Sequence, residues 1–436
     1  MKRNSGILVA ALAAIASSLA ITATASAAPK TVCPSGCAFT SIQAAIEAAS
    51  PGATITIGAG SYEENVVVTK SVTLTGAGNK TIIYPATSNP ICSPGSLCEG
   101  AASNIILVQA DNVTITKLQL KGDNPSLTSG VVVGGEDLDA RNGIITNHSI
   151  GTFNNLSVSK VKVTGIYLRG IYASSGGTFN FTKDNITNVQ GEEASIAMFN
   201  FGGSGVMSDN KVTSANDGIS SNHSTGTQYI HNTVMKSGSG VHTDNNGDSG
   251  GVADVIKENS VKECNQDGFG VWVFVPYLSP KVEKNKVKGC YVGLAAFGGA
   301  VPGEGPVFEG NKVSGVGATT TDPNGTYGAY LTTDQLGFEF GDLNATLTAN
   351  SFMNSGTGML ATQTSPTEGQ PAGGQATVNA EQNSITGNGT GANGETGTVF
   401  NGKNNWWGCP AGPNMGGSCQ TVVGTVTFTP WLGAKP

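Results

Sequence analysis

A parallel β solenoid is the fold class this sequence predicts: all-β, with one coil of chain per repeat. Three observations predict it. A unit of the form Asn-x-(Val, Ile or aromatic) returns at Asn210, Asn232, Asn259, Asn285, Asn311, Asn350, Asn383 and Asn404. Asp184, Asn154 and Asp111 extend the series upstream, and most steps are 22 to 30 residues. A period of that size marks stacked supersecondary units. Second, the units are rich in Gly, Asn, Thr and Val and carry no 3.6-residue apolar pattern, which excludes helical repeats. The Leu-x-x-Leu-x-Leu frame of leucine-rich repeats is missing too. Third, Cys264 and Cys290 occupy the same place in consecutive repeats, five residues after Asn259 and Asn285. Neighbouring coils of a parallel solenoid lie about 4.8 Å apart, inside the roughly 4.4 to 6.8 Å Cα range of a disulfide. The pair is therefore expected to staple one coil to the next.

Taken in order, the chain begins with residues 1–27, which read as a secretory signal peptide. A charged "MKR" start precedes a small-residue apolar run from Ile7 to Ala23, and Ala25-Ser26-Ala27 fits a cleavage site. The run is too short and too rich in Ala, Ser and Thr for a membrane anchor, and no later stretch is apolar enough to span a bilayer. Residues 28–436 then read as one solenoid domain. Its N-terminal cap, about 33–60, opens with Cys33 and Cys37 in a short loop. A helix follows in "FTSIQAAIEAASPGA", with Thr40 and Gln43 as a capping box and Ile42, Ala45, Ile46 and Ala49 as its apolar face. Pro51-Gly52 ends it, and such a cap covers the open strand edges of the first coil. Each repeat is expected to turn at its Asn, which tolerates the left-handed conformation and can bond to the Asn of the next coil. The residue two places on then points inward. Cys92 and Cys98 close a second short loop. The C-terminal cap, about 404–436, combines Trp406, Trp407 and Trp431 with a loop bracketed by Cys409 and Cys419. Eight cysteines in an exported chain point to disulfides, and the absence of a C-x2-C pair argues against zinc.

The stretch "FTSIQAAIEAASPGATITIGAGSYEENVVVTKSVTLTGAG" resembles the opening of pectin-lyase-like and pectinesterase-like proteins. "NVTITKLQLKG" at 112–122 resembles their strand-turn-strand unit, the Asn series their asparagine ladder, and "NNWWG…GP" a closing segment of the bacterial β-helix (PbH1) repeat family. The resemblance implies a single-stranded right-handed parallel β-helix and a carbohydrate-related activity. It does not extend to a specific enzyme subfamily. The Gln-Asp-Thr-Leu-Tyr, Asp-Phe-Ile-Phe-Gly and Leu-Gly-Arg-Pro-Trp stretches of pectinesterases are absent, as are the paired aspartates, Gly-His-Gly and Arg-Ile-Lys of polygalacturonases. Pectate lyases pair carboxylates with an Arg base, but Arg169 is far along the chain from the main carboxylates and Arg141 falls in an expected loop.

After each Asn position the chain enters a Gly-marked strand: "NDGISSNH", "GSGVHTDNN", "QDGFGVWVF", "YVGLAAFGG", "YGAYLTTDQ". Strand alternation puts Ile219, Val241, Phe269, Leu294 and Ala329 inside. Asn222, His242, Asp244, Trp272, Phe297 and Tyr330 then face outward, with Asp217 and Asp267 at matching places just before the strand. In the family this strand lines the substrate groove. Carboxylates with one imidazole suit acid/base work, which nominates Asp217, His242, Asp244 and Asp267 as catalytic; Trp272, Phe297, Tyr330 and Asn222 are nominated for substrate contact. The bland reading is that Asp-Gly is turn chemistry and that inserts such as "VPYLSPK" or 361–375 cover the aromatic stripe.

No cofactor is expected. His223, His231 and His242 lack metal-ligand spacing; calcium held by "TDNNGD" at 243–248 is the one ion with oxygen donors in place, though without the acidic final ligand of an EF-hand. Asn79, Asn147, Asn155 and Asn222 begin Asn-x-Ser/Thr sequons, which matter only in a glycosylating host. A net charge of -7 argues against nucleic acid, and three arginines, one of them in the leader, offer little fixed charge to a polyanionic sugar. The expected protein is secreted or at the cell surface, monomeric, and binds or processes a polysaccharide; as an enzyme it would be a lyase or glycoside hydrolase. A non-catalytic adhesive or structural module is the alternative, and a periplasmic metal-delivery protein a distant one.

Overall fold

The computed structural model describes residues 30–245, 251–265, 267–299, 301–315, 326–336, 341–364 and 373–436. The leader at 1–27 lies outside these residues, as does most of the 361–375 insert. Each coil lays down three short strands. The first face is a 15-stranded sheet running from Lys30–Val32 to Val426–Thr427. The second and third faces form one 22-stranded sheet, because in Lys162–Ala173, Lys211–Ser224 and Thr233–Asn245 a single bent strand serves both. Every pairing between coils is parallel; a small antiparallel hairpin joins Val132–Val133 to Glu136–Asp137.

Period-2 alternation fills the interior with stacked apolar columns. On the first face Phe181, Met207, Tyr229, Ile256, Val282 and Phe308 are successive register partners. On the second face Val212, Val234, Val261, Val287 and Val313 follow one another. All are buried, and each removal of such a side chain from water is worth about 2 kcal/mol.

The corner between first and second faces is the asparagine ladder. The Asn259 backbone N–H donates to Asn285 Oδ1 at 2.9 Å, and Asn259 Nδ2 donates to the same oxygen at 3.0 Å and to the Tyr229 carbonyl at 2.9 Å. The same bonds recur through Asn311, Asn350 and Asn383. Three details differ from the sequence expectation. The left-handed residue is the one before each Asn, such as His231, Glu258 or Lys284 at φ 54 to 57, so Asn is needed for its amide and not for its backbone. The last rung is Asn405, not Asn404: Asn383 Nδ2 donates to Asn405 Oδ1 at 2.9 Å, and Asn404 takes the left-handed place. Upstream, Asp184 is the first rung, whereas Asn154 and Asp111 bond to each other at the entry to the first face, a different corner.

The corner between second and third faces needs glycine. A Cβ at Gly218 would lie 2.6 Å from the Gly240 carbonyl oxygen and 2.6 Å from Val234 Cγ1, inside the core. Gly240, Gly270, Gly293 and Gly328 follow in the same place. This bend shifts the alternation: Val271, not Phe269, joins Ile219, Val241, Leu294 and Ala329 in the inward column, and Phe269 faces outward.

At the N-terminal end the helix Ile42–Ala48 buries Ile42, Ala45 and Ile46 on the first coil, with Ala49 just beyond it buried too. Its N-cap is Ser41 rather than Thr40, and Glu64 completes the cap by accepting from the Ile42 and Gln43 N–H groups at 2.8 and 2.9 Å. Gln43, freed from a capping box, accepts from Val67 N–H at 2.9 Å. At the other end Trp407 is fully buried and plugs the stack, while Trp431 lies outside with its indole N–H toward Pro410 O. Disulfides join Cys33 to Cys37, Cys92 to Cys98, Cys264 to Cys290 and Cys409 to Cys419; the third spans adjacent coils with a Cα separation of 4.7 Å.

Candidate functional site

The outward side of the third face gathers most of the nominated residues. Three columns run along it. One follows the residue before each corner position, a glycine in every one of these coils but that of Ile196, where Ala197 stands: Arg169, Ile196, Asp217, Ser239, Phe269, Val292 and Tyr327. The next carries Tyr172, Phe199, Ser220, His242, Trp272, Ala295 and Tyr330. The third includes Phe201, Asn222 and Asp244, then Phe297. Asp267 is not among them. It sits two residues ahead of Phe269 in a left-handed turn at φ 60, so Asp217 pairs with Ser239 and the expected match between the two aspartates is a mismatch of register.

His242 is the centre. Its ring stacks on Trp272 with centroids 4.2 Å apart, and Nδ1 lies 3.3 Å from Asp217 Oδ2 and 3.2 Å from Ser220 Oγ. Ser239 Oγ donates to the other Asp217 oxygen. Serine and aspartate thus share one ring nitrogen, whereas a nucleophile relay needs them on opposite nitrogens, so no serine triad is built here. In the tautomer that carries its proton on Nδ1, toward Asp217, Nε2 keeps its lone pair and can accept a proton. Asp244 lies on the same face and accepts from the His223 backbone N–H. Burial raises its pKa to about 7, with His242 and the His223 N–H opposing the rise, so the carboxyl is partly protonated at neutral pH. Among the described residues, His242 Nε2, Trp272 Nε1 and Asn222 Oδ1, all buried on this face, have no hydrogen-bond partner, and neither has Arg169 Nε on the same face. Native interiors rarely leave such groups unpaired.

The aromatic stripe divides. Trp272 and Phe269 are half-buried, but Phe297 is fully buried and Tyr330 nearly so. Phe297 and Tyr330 belong to a satellite core with Val292, Ala295 and Leu360, and the Tyr330 hydroxyl donates to Thr364 O at 3.0 Å. These two rings offer no open face to a ligand. Their expected contact with substrate gives way to packing because the chain after the third-face strands folds back over them.

Arg169 and its surroundings escaped the sequence reading. Arg169 is two coils from Asp217 in the same column, so distance along the chain misled. Its guanidinium lies 4.8 Å from the Phe199 ring centroid and 5.8 Å from that of Tyr172, and these rings stack at 4.7 Å. Burial lowers its pKa to about 10, which leaves it cationic at neutral pH. The signal was present: Arg169-Gly170-Ile171-Tyr172 has the register of Asp217-Gly218-Ile219-Ser220. Arg141 is in the strand Ala140–Thr146, not a loop, and its guanidinium holds the carbonyls of Pro90, Gly95 and Ser96 at 2.6 to 3.2 Å. His231 lies at the ladder corner between Asp209 and Glu258, away from His223 and His242. Among the described residues no three His, Cys, Asp or Glu side chains converge as a metal site. Residues 246–248 of the nominated calcium segment lie outside the described residues. Among the described residues no helix is long and apolar enough to cross a membrane.

No family model matches the chain, and no curated protein matches it in sequence. Solved structures do resemble it. The A-module of the Azotobacter vinelandii mannuronan C-5 epimerase AlgE4 aligns at 16% identity with a TM-score of 0.52, over 78% of this chain and 89% of that one. The AlgE6 A-module from the same organism aligns at 17% identity and a TM-score of 0.49, over 82% and 93%. A pectin methylesterase from Aspergillus niger gives 15% and 0.39, over 67% and 87%. Likeness at such identities is one of fold. With parallel pairing from coil to coil, a capping helix and an asparagine ladder, the chain is a right-handed parallel β-helix of the pectin-lyase-like fold.

Proposed function

We propose that this is an extracellular polysaccharide-processing protein whose site is the third-face cluster of Asp217, His242, Asp244, Asn222 and Trp272. What supports the reading is a set of polar atoms with no partner among the described residues, His242 Nε2, Trp272 Nε1 and Asn222 Oδ1, beside a half-buried indole. Sugar rings present apolar faces and hydroxyl edges, and such a set matches both. In this reading Asp244 donates a proton, His242 Nε2 accepts one, and Asp217 orients the imidazole through Nδ1. Asp267, Phe297 and Tyr330 have no part in it. The AlgE4 module, by name an epimerase acting on mannuronan, agrees at the level of fold alone. Four disulfides fit an oxidising, extracellular location.

The test is incubation with a panel of plant, algal and bacterial polysaccharides, following reducing ends, unsaturated products and epimerised residues. Turnover is expected to vanish in Asp244→Asn and His242→Ala, and in the wild type to fall as pH rises through about 7 and Asp244 loses its proton. Turnover that survives both substitutions sinks the assignment. The half-buried indole of Trp272, whose Nε1 has no partner among the described residues, also suits a second reading, a glycan-binding module without turnover. Binding that Trp272→Ala abolishes, with no product from any polysaccharide, would select it.

A further inference from the structure

The second face carries a charged patch that the third-face site does not use. Lys262 and Lys288 are register partners in adjacent coils, as are Lys286 and Lys312, and Lys284 stands beside them at the ladder corner. All five are exposed. Register partners lie about 4.8 Å apart and lysines on one strand about 6.6 Å, so this is a grid of like charge that costs stability unless something neutralises it. Among the described residues none of the five has a carboxylate within ion-pair distance. Of the nearby acids, Glu258 bonds to His231 at 2.5 Å and Glu283 pairs with Lys257 at 3.8 Å; Glu263, next in the chain to Lys262, is exposed. Lys262, Lys284, Lys286 and Lys288 line one cleft of about 580 Å³ together with Glu258 and Ser260. The grid stands out in a chain of net charge -7 with only 12% charged residues.

We infer that this face docks an acidic polysaccharide, a glycan bearing carboxylate or sulfate groups at regular intervals, laid along the solenoid axis across the lysine rows. A line of anions repeating along a chain is what rows of cations repeating coil by coil complement. Nucleic acid is the poorer fit, because the register neighbours in these rows are Ser260, Thr233 and Ser314, which offer no ring on which bases could stack. An anionic membrane is poorer too: none of the exposed large apolar side chains, Ile91, Val132, Ile150, Val252 and Met415 among them, lies on this face to insert. The inference stands apart from the third-face site, which lies around the next corner.

The experiment is affinity electrophoresis and biolayer interferometry of the whole protein against polygalacturonate, dextran sulfate, neutral dextran, phosphatidylglycerol vesicles and single-stranded DNA. Polygalacturonate or dextran sulfate is expected to bind, neutral dextran not, with affinity falling as salt rises. The quadruple variant Lys262→Gln, Lys286→Gln, Lys288→Gln, Lys312→Gln should weaken binding by about tenfold or more, and two Lys→Glu changes, at Lys286 and Lys288, should do the same. Lys403→Glu, a reversal at an exposed distant lysine, should leave it unchanged. His242→Ala should also retain docking, which separates this surface from the third-face site. Equal affinity in the lysine variants overturns the inference, as does tighter binding to vesicles or DNA than to either acidic glycan.

Discussion

The ladder corner and the third face are built from the same repeats, yet they behave oppositely along the chain. At the ladder each coil supplies the same residue in the same role, and Asn232, Asn259, Asn285, Asn311, Asn350 and Asn383 make nearly superimposable bonds. On the third face the equivalent outward positions read Tyr172, Phe199, Ser220, His242, Trp272, Ala295 and Tyr330, with no two neighbours alike in chemistry beyond two pairs of stacked rings. Repetition marks what holds coils together, and departure from repetition marks where a face has been given another task. The largest effect should follow from breaking the repeated part. Asn285→Ala leaves the Ile256 carbonyl and two Asn259 donors without partners in a buried corner. A loss of about 3–6 kcal/mol is expected in denaturant unfolding, and a loss below 1 kcal/mol would mean that the ladder is ornament.

This contrast also explains what could be read in advance. The Asn period, the paired cysteines and the capping helix were legible because each has a local signature and a fixed register. Alternation alone puts Phe269 inward, whereas it faces outward, because the bend at the corner glycine, seen at Gly218 and its successors, slips the two-residue alternation without leaving a separate mark. Arg169 was missed for a related reason: two coils of sequence lie between it and Asp217, although they share a column. The coverage of Phe297 and Tyr330 depends on how later segments fold back, which no periodic pattern encodes.

Asp184 sharpens the comparison from inside the ladder, since it is the one rung that is not asparagine. It accepts from Val161 N–H at 2.8 Å through Oδ1, while Oδ2 is buried without a partner. In the next rung Asn210 Nδ2 donates to the Phe181 carbonyl at 3.0 Å, so Asp184 Oδ2 occupies a place meant for a donor. Burial raises its pKa to about 8, and the protonated carboxyl imitates an amide. In the unfolded chain an aspartate titrates near 4. Below that, both states hold the proton; between about 4 and 8 only the folded state does, so wild-type stability falls as pH rises and levels off above the folded value. Asp184→Asn removes this dependence. Its advantage over wild type should grow from nearly nothing at pH 4 to as much as about 5 kcal/mol at pH 8, and parallel melting curves across that range would refute the assignment.

A smaller effect is expected from the covalent link between coils. Cys264 and Cys290 close a loop of 26 residues in a stack already held by ladder bonds on one corner and backbone pairing on three faces. The double change to serine should cost about 3 kcal/mol, mostly through the freedom returned to the unfolded chain. Unreduced peptide mapping that joined either cysteine to any other would contradict the coil register itself.

The smallest change tests where the third face divides. Tyr330→Phe removes one hydroxyl bond to Thr364 O from a ring already packed in the satellite core. About 1 kcal/mol should be lost, with glycan binding unchanged, because that ring faces protein. Trp272→Ala, two coils away in the same column, is the counterpart. It should weaken glycan binding by more than it weakens the fold, since the indole is half-buried and its N–H has no partner among the described residues. Calorimetric titration with the best glycan, paired with thermal melts of both variants, separates the two roles. If both substitutions lower stability and neither touches binding, the aromatic column is a continuous core. The ligand would then have to be sought around Arg169, whose cationic head rests on Tyr172 and Phe199 at the other end of the same face.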